Sequence, residues 1–232
     1  MAPIHDAARD GDADLLRLLL ADGASPDARR DYDAATPLIA LCMLGGGYRV
    51  ACLKALLAAG ANLEARCHSC SKTALHYACQ NANTAVVSLL LQAGVDVNVS
   101  DRSGYTPLHH VAMGLKAESG NCVDLLITAG ASLEARTVHG RNPLDQSITI
   151  WPHRGLRIWP VLLRAGTPTT EIVLQRSDCD PYLKRVLDAG SFQKYAQNHL
   201  AAITKLFAAN GRRLPPEVVR HIMKYWLHAG YY

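Results

Sequence analysis

Aromatic side chains are scarce in this sequence: 2 Phe, 3 Trp and 9 Tyr in 232 residues. Rings therefore cannot fill its core. Ala and Leu, together more than a quarter of the chain, have to do so, and both favour helices. An excess of one charge is missing too. Lys and Arg number 24 against 20 Asp and Glu, a net charge of +4, too small and too scattered for a nucleic-acid face. No apolar run approaches the ~18 residues of a membrane span. The first turns of the chain carry Asp6, Arg9, Asp10 and Asp12 among their apolar positions, a pattern unlike a secretory leader. The expectation is a cytoplasmic protein, with the nucleus as a second location. Charged residues at 19% and hydrophobics at 49% exclude wholesale disorder.

Cysteine is present in an odd number: Cys42, Cys52, Cys67, Cys70, Cys79, Cys122 and Cys179. Seven are too few for a secreted disulfide scaffold of this length, so they are expected to be thiols. Cys42, Cys52, Cys79 and Cys122 fall among Ala and Leu, where cysteine packs as a small hydrophobe. Cys67-His68-Ser69-Cys70 has the spacing of half a zinc site, but no second pair follows it. The alternatives are a metal half-site, a reactive surface thiol pair, or an ordinary variable turn with its side chains outward. The last is preferred. Neither Gly-x-Ser-x-Gly nor Gly-x-x-x-x-Gly-Lys occurs, so no enzyme, cofactor or metal is expected.

What the sequence does contain is a repeat. A tetrad similar to Thr-Pro-Leu-His begins at Ala2, Thr36, Thr73, Thr106 and Asn142, at distances of 34, 37, 33 and 36 residues. Each is answered by an apolar run ending at Gly23, Gly60, Gly94, Gly130 and Gly166, which lie 21, 24, 21, 24 and 24 residues downstream. The three longer copies carry their extra residues between two helical halves, in 45–48, 116–121 and 151–155, where a loop absorbs length. Pro at the second tetrad position suits a first helical turn, and Thr before it can cap. Gly after the second helix suits a left-handed C-terminal residue. Histidines recurring at one tetrad position (His5, His76, His109) are expected to bond backbone between repeats rather than to bind a ligand.

These residues resemble the ankyrin repeat family, with Thr106-Pro107-Leu108-His109 and Thr73-Ala74-Leu75-His76-Tyr77-Ala78 as the best matches to its T-P-L-H-x-A unit. The resemblance implies an all-α solenoid: five helix pairs over residues 2–167, joined by short β-turn fingers and closed by C-terminal helices. We expect a repeat domain over 1–190, with a shortened sixth unit at 181–190, and a helical cap or docking element over 191–232. One amphipathic helix is expected from Phe192 to Asn210, carrying Tyr195, Leu200, Ile203 and Phe207. The stretch from Leu214-Pro215-Pro216-Glu217 to Leu227 has apolar positions on one helical stripe and resembles a truncated F-box-like module. By that resemblance Leu214, Pro215, Glu217, Ile222 and Trp226 would dock a ligase adaptor. Leu90 and the later Asp96-Val97-Asn98 resemble the ankyrin string used by asparaginyl hydroxylases, which marks Asn98 as a candidate modification position.

The function implied is non-enzymatic: an adaptor or scaffold that binds another protein on a concave face. The alternative is a substrate receptor of a cullin-type ubiquitin ligase, with ligase components as partners. No nucleic acid or membrane partner is expected, and the chain should be a monomer. The family places contacts on turn tips and on the exposed side of the first helix of each pair. By position these are Tyr32, Asp33, Met43 and Leu44 in the second repeat, and Ser69, Cys70, Lys72, Gln80 and Asn81 in the third. The fourth offers Arg102, Ser103, Tyr105 and Met113, and the fifth Val138, His139 and Arg141. Aromatic and Arg anchors usually dominate interfaces, which ranks Tyr32, Arg102, Tyr105 and Arg141 first.

Overall fold

The computed structural model describes residues 3–44, 49–114, 119–150, 158–170, 173 and 181–209. Among them the regular structure is helical, with no strand. Five pairs run in order: α1 (Pro3–Asp10) with α2 (Ala13–Ala21), α3 (Pro37–Met43) with α4 (Val50–Ala58), and α5 (Ala74–Gln80) with α6 (Thr84–Gln92). They continue with α7 (Pro107–Ala112) and α8 (Ser119–Thr128), then α9 (Pro143–Ile150) and α10 (Trp159–Arg164). Two further helices follow, α11 (Pro181–Asp188) and α12 (Phe192–Ala209).

The repeated residues set the helix ends. The Thr36 hydroxyl accepts the Ile39 N–H, and Pro37 occupies the first turn of α3. Asp12 and Asn83 cap α2 and α6 through the N–H groups of Leu15 and Val86. Gly23, Gly60, Gly94, Gly130 and Gly166 all have positive φ, between 75° and 93°. The N–H after each of them reaches back into the helix, as in Ala24 to Leu19 O, Ala61 to Leu56 O and Thr167 to Leu162 O, each at 3.0 Å. The pairs with long interhelical connections are the second, fourth and fifth. Residues 119–121 belong to α8, so the insertion in the fourth pair feeds partly into the helix rather than wholly into a loop.

No single pair could bury its apolar face alone; stacking does it. First helices pack in the series α1, α3, α5, α7, α9, and second helices in the series α2, α4, α6, α8, α10. Leu38, Leu53, Leu75, Leu90, Leu108, Leu126, Leu144 and Leu162 are all fully buried in one continuous core. Helix α12 packs on both α10 and α11. Among the described residues no helix is long and apolar enough to cross a membrane.

Four hairpin-like fingers project between consecutive pairs, closed by bonds from Arg30 N–H to Ala35 O, Cys67 to Lys72, Asp101 to Tyr105 and Thr137 to Arg141. Each finger bonds the next: His68 N–H to Asp33 O at 2.7 Å, Arg102 to Cys70 and Val138 to Ser103 at 3.0 Å. A second ladder runs through the turns after the second helices. There Asp27 accepts from Asn62 N–H, Glu64 from Asp96 N–H, and the Asn98 carboxamide from Ser132 N–H.

The outward orientation expected for Cys67 needs correction. Cys67 is 3% exposed. The finger curls its first residue inward, under the Tyr77 side chain of α5. Tyr105 likewise is not a free tip: it is half-buried, with its ring 5.8 Å from that of His109 and 5.5 Å from that of His110.

Candidate functional site

The tetrad histidines are structural. His5 Nε2 donates to Ala28 O at 2.8 Å, His76 Nε2 to Tyr105 O at 3.0 Å and His109 Nε2 to Arg141 O at 3.0 Å. In α5 and α7 the other ring nitrogen accepts a backbone N–H, from Thr73 and Thr106, which fixes the tautomer. Each ring thus ties one helix start to the next finger. Burial pushes His76 down to about 4, with His110 nearby adding to the effect and the bond to Tyr105 opposing it. His109 is lowered, first by its own burial. The His76 and His109 rings stay neutral near pH 7, and both nitrogens of each are taken up by backbone groups.

A face forms where the fingers meet the exposed ends of the first helices. On the second repeat Arg30 pairs with Asp33 at 2.5 Å, lies 4.9 Å over the Tyr32 ring and approaches Met43 Sδ at 3.4 Å. Tyr32 (69% exposed), Leu44 (47%) and Met43 (37%) are open to water. On the third repeat Lys72 Nζ donates to Gln80 Oε1 at 3.2 Å. Asn81 Nδ2 is directed backward, to Cys42 O and Met43 O, so that its amide serves the scaffold.

Between the third and fourth repeats this face deepens into a cleft of about 340 Å³. Its nine lining residues bring together Ser69, Cys70, Lys72, Arg102, Ser103, Tyr105 and Met113, seven of the positions named from the sequence, and add Asp101 and His110. Arg102 is exposed and donates to His68 O at 2.9 Å. Asp101 takes bonds from Ser103 N–H, Tyr105 N–H and His110 Nε2. Burial works against its charge, but those bonds lower its pKa and keep it ionised. His110 is held down by its own burial, against the pull of Asp101. With Nε2–H donating to Asp101, Nδ1 is a buried acceptor with no partner among the described residues. An unmade bond of this kind costs free energy. The sequence reading missed Asp101 and His110; the doubled histidine after the fourth tetrad was the available sign.

His139 is exposed and Arg141 half-buried on the fourth finger, away from that cleft's lining. Asn98 is exposed, with Nδ2 donating to Gly130 O and Oδ1 accepting from Ser132. Leu214, Pro215, Glu217, Ile222 and Trp226 lie outside the described residues. So does Cys179.

A family model for ankyrin repeats in three copies matches residues 4–101 and again 47–137, more than half of the chain. The chain belongs to the ankyrin repeat family. Its relatives include a putative E3 ubiquitin-protein ligase of Arabidopsis thaliana, XBAT31, 32% identical over 146 residues, covering 58% of this chain and 30% of that protein. Inversin of Gallus gallus is 35% identical over 134 residues, 58% of this chain and 12% of its own length. The B-cell lymphoma 3 protein homolog of Mus musculus is 34% identical over 150 residues, 62% of this chain and 32% of its own. The ankyrin chain thus spans a third or less of each of these relatives. Ankyrin repeats are protein-interaction modules, generally without catalytic activity of their own, and that coarse function applies to this chain.

Proposed function

We propose that this ankyrin solenoid is an adaptor that binds a partner protein on the face between its fingers and first helices. The cleft between the third and fourth repeats is the observation that carries the reading. It combines a half-buried aromatic, Tyr105, with a cationic rim of Lys72 and Arg102. Acidic groups of a partner would meet the rim. Tyr32, Met43 and Leu44 extend the contact surface over the second repeat. Residues 192–209 close the solenoid in this reading. The ligase-receptor alternative rests on Leu214 to Trp226 and gains nothing from the described residues.

The test is affinity capture from cells with the parent chain and with Tyr32→Ala/Arg102→Ala, compared by quantitative mass spectrometry. Interface anchors of these types each contribute more than about 1 kcal/mol. We expect a protein set retained by the parent to fall about tenfold or more with the double variant, while its melting temperature stays within a degree or so of the parent's. Identical capture by both chains would refute this face.

A further inference from the structure

We propose that Cys67 and Cys70 form a thiol–disulfide exchange site for low-molecular-weight disulfides, with Cys70 as the attacking thiol and Cys67 as the resolving one. The inference stands on the second finger alone and does not depend on what the neighbouring face binds.

All six cysteines of the described residues are free. Cys42, Cys52, Cys79 and Cys122 are buried in helices. Burial pushes the Cys42 thiol up to about 12 and Cys79 well above the usual range, which leaves both inert near neutrality. The finger pair differs in every respect that matters for reactivity. Cys67 and Cys70 flank a turn whose closing residue, Ser71, is left-handed at φ +57° and donates its N–H to Cys67 O. That turn brings the two Sγ atoms to 2.7 Å, a short step from the ~2.05 Å of a disulfide. The backbone on either side is already pinned, His68 to Asp33 and Cys70 to Arg102.

The two sulfurs are not equivalent. Cys70 is partly exposed and lines the cleft, where a small disulfide can reach it; Cys67 sits behind it at 3% exposure. Burial alone would raise the Cys70 pKa, yet bonds from Cys67, Tyr77, Lys72 N–H and Ser69 bring it below its ordinary value. The Tyr77 hydroxyl lies 3.3 Å from Cys70 Sγ and 3.6 Å from Cys67 Sγ. Burial raises the phenol's own pKa, so it remains an O–H donor to the developing thiolate. Lys72 Nζ stands 5.5 Å from the Tyr77 ring centre, adding positive charge to the neighbourhood. Among the described residues no group of three or more His, Cys, Asp and Glu is placed to hold a metal, whereas two thiols are a complete set for exchange.

The chemistry closes without further components. The Cys70 thiolate attacks one sulfur of a disulfide RSSR, the S–S bond breaks, and RS⁻ leaves and takes up a proton. The Cys67 thiol gives its proton to the second leaving group as its sulfur attacks the Cys70 sulfur, which releases a second RSH. The finger loses two electrons and two protons, RSSR gains both, and excess thiol reverses the steps.

The purified full chain is equilibrated with glutathione buffers running from fully reduced to fully oxidised, then alkylated and digested with trypsin. In reduced buffer the peptide from Cys67 to Lys72 should carry two alkyl groups; as the buffer is oxidised it should appear without them, two hydrogens lighter than the unalkylated dithiol peptide, and the change should reverse on reduction. Cys67→Ser should stop at a stable glutathione adduct on Cys70, whereas Cys70→Ser should react at Cys67 about tenfold more slowly or not at all. A Cys67–Lys72 peptide that stays reduced in fully oxidised glutathione overturns the proposal. So do equal reaction rates for the two variants. Circular dichroism checks that each variant is folded, and the parent chain's result stands on its own if one is not.

Discussion

At the scale of single residues, backbone conformation and burial decide what each position tolerates. The fingers place one residue each in the left-handed region: Ala34 at φ +54°, Ser71 at +57°, Gly104 at +78° and Gly140 at +72°. Only two of the four are glycines. A Cβ on Gly104 would stand 3.0 Å from Thr137 Cα and from Val138 N, where the next finger's backbone cannot yield cheaply. Gly104→Ala should therefore destabilise by more than the ~1–2 kcal/mol of the conformation itself, visible as a fall in denaturant midpoint. Ala34→Gly should do the opposite, raising stability by up to about 1 kcal/mol after the greater chain entropy of glycine is subtracted. In the core, Leu90 is fully buried in α6, so Leu90→Ala should cost about 2–5 kcal/mol in urea unfolding.

At the scale of elements, the histidine relay couples helix starts to fingers, and its protonation couples them to pH. His76 is held at about 4, and His109 and His110 are also lowered, burial being the leading cause in each. The unfolded chain has ordinary histidines near 6.5, so between that value and about 4 it binds more protons than the folded chain. Stability contributed by the neutral rings is therefore complete above pH ~6.5 and is lost as pH falls toward 4. For His76 the loss is on the order of 3 kcal/mol. Melting temperature should decline steadily from pH 7 to pH 4, and His76→Gln should flatten part of that decline. A profile level over this interval would contradict the burial of these rings. Much of this was legible beforehand, because residues that recur at one position of a repeat do one repeated structural job. The cleft was only half legible: Cys70, Arg102 and Tyr105 sit at predictable turn positions, but His110 differs from its neighbours only in following a tetrad histidine. Its pairing with Asp101 at 2.9 Å depends on the finger folding back over α7.

At the scale of the whole molecule, a solenoid has two ends, and each repeat is stabilised chiefly by its neighbours. Helix α12 packs on α10 and α11, and Tyr195 joins the core from it. A chain ending at Gly190 should therefore melt at a clearly lower temperature than the full chain and unfold first in its last pair, as hydrogen exchange across Trp159–Arg164 would show. An unchanged melting curve would mean that α12 is not the cap.

The number of pairs, their phase, the helix ends and the role of the tetrad histidines follow from the sequence by itself. Each is set by a local rule that recurs along the repeats: a Thr or Asn before the first helix and a proline in its first turn in four of the five, a left-handed glycine and an apolar run in all five. Differences among identical residues were decided only by the tertiary structure. Leucine stands four residues before the closing glycine in all five pairs, at Leu19, Leu56, Leu90, Leu126 and Leu162. Four of them are fully buried while Leu19 remains partly exposed, because beyond its own pair α2 packs on one second helix, α4, whereas α4, α6 and α8 each lie between two second helices and α10 lies between α8 and α12. The two finger cysteines show the same division. Their spacing is plain in the sequence, but that one is buried, the other open to a cleft, and both within reach of Tyr77 depends on how one finger closes over the helix that follows it.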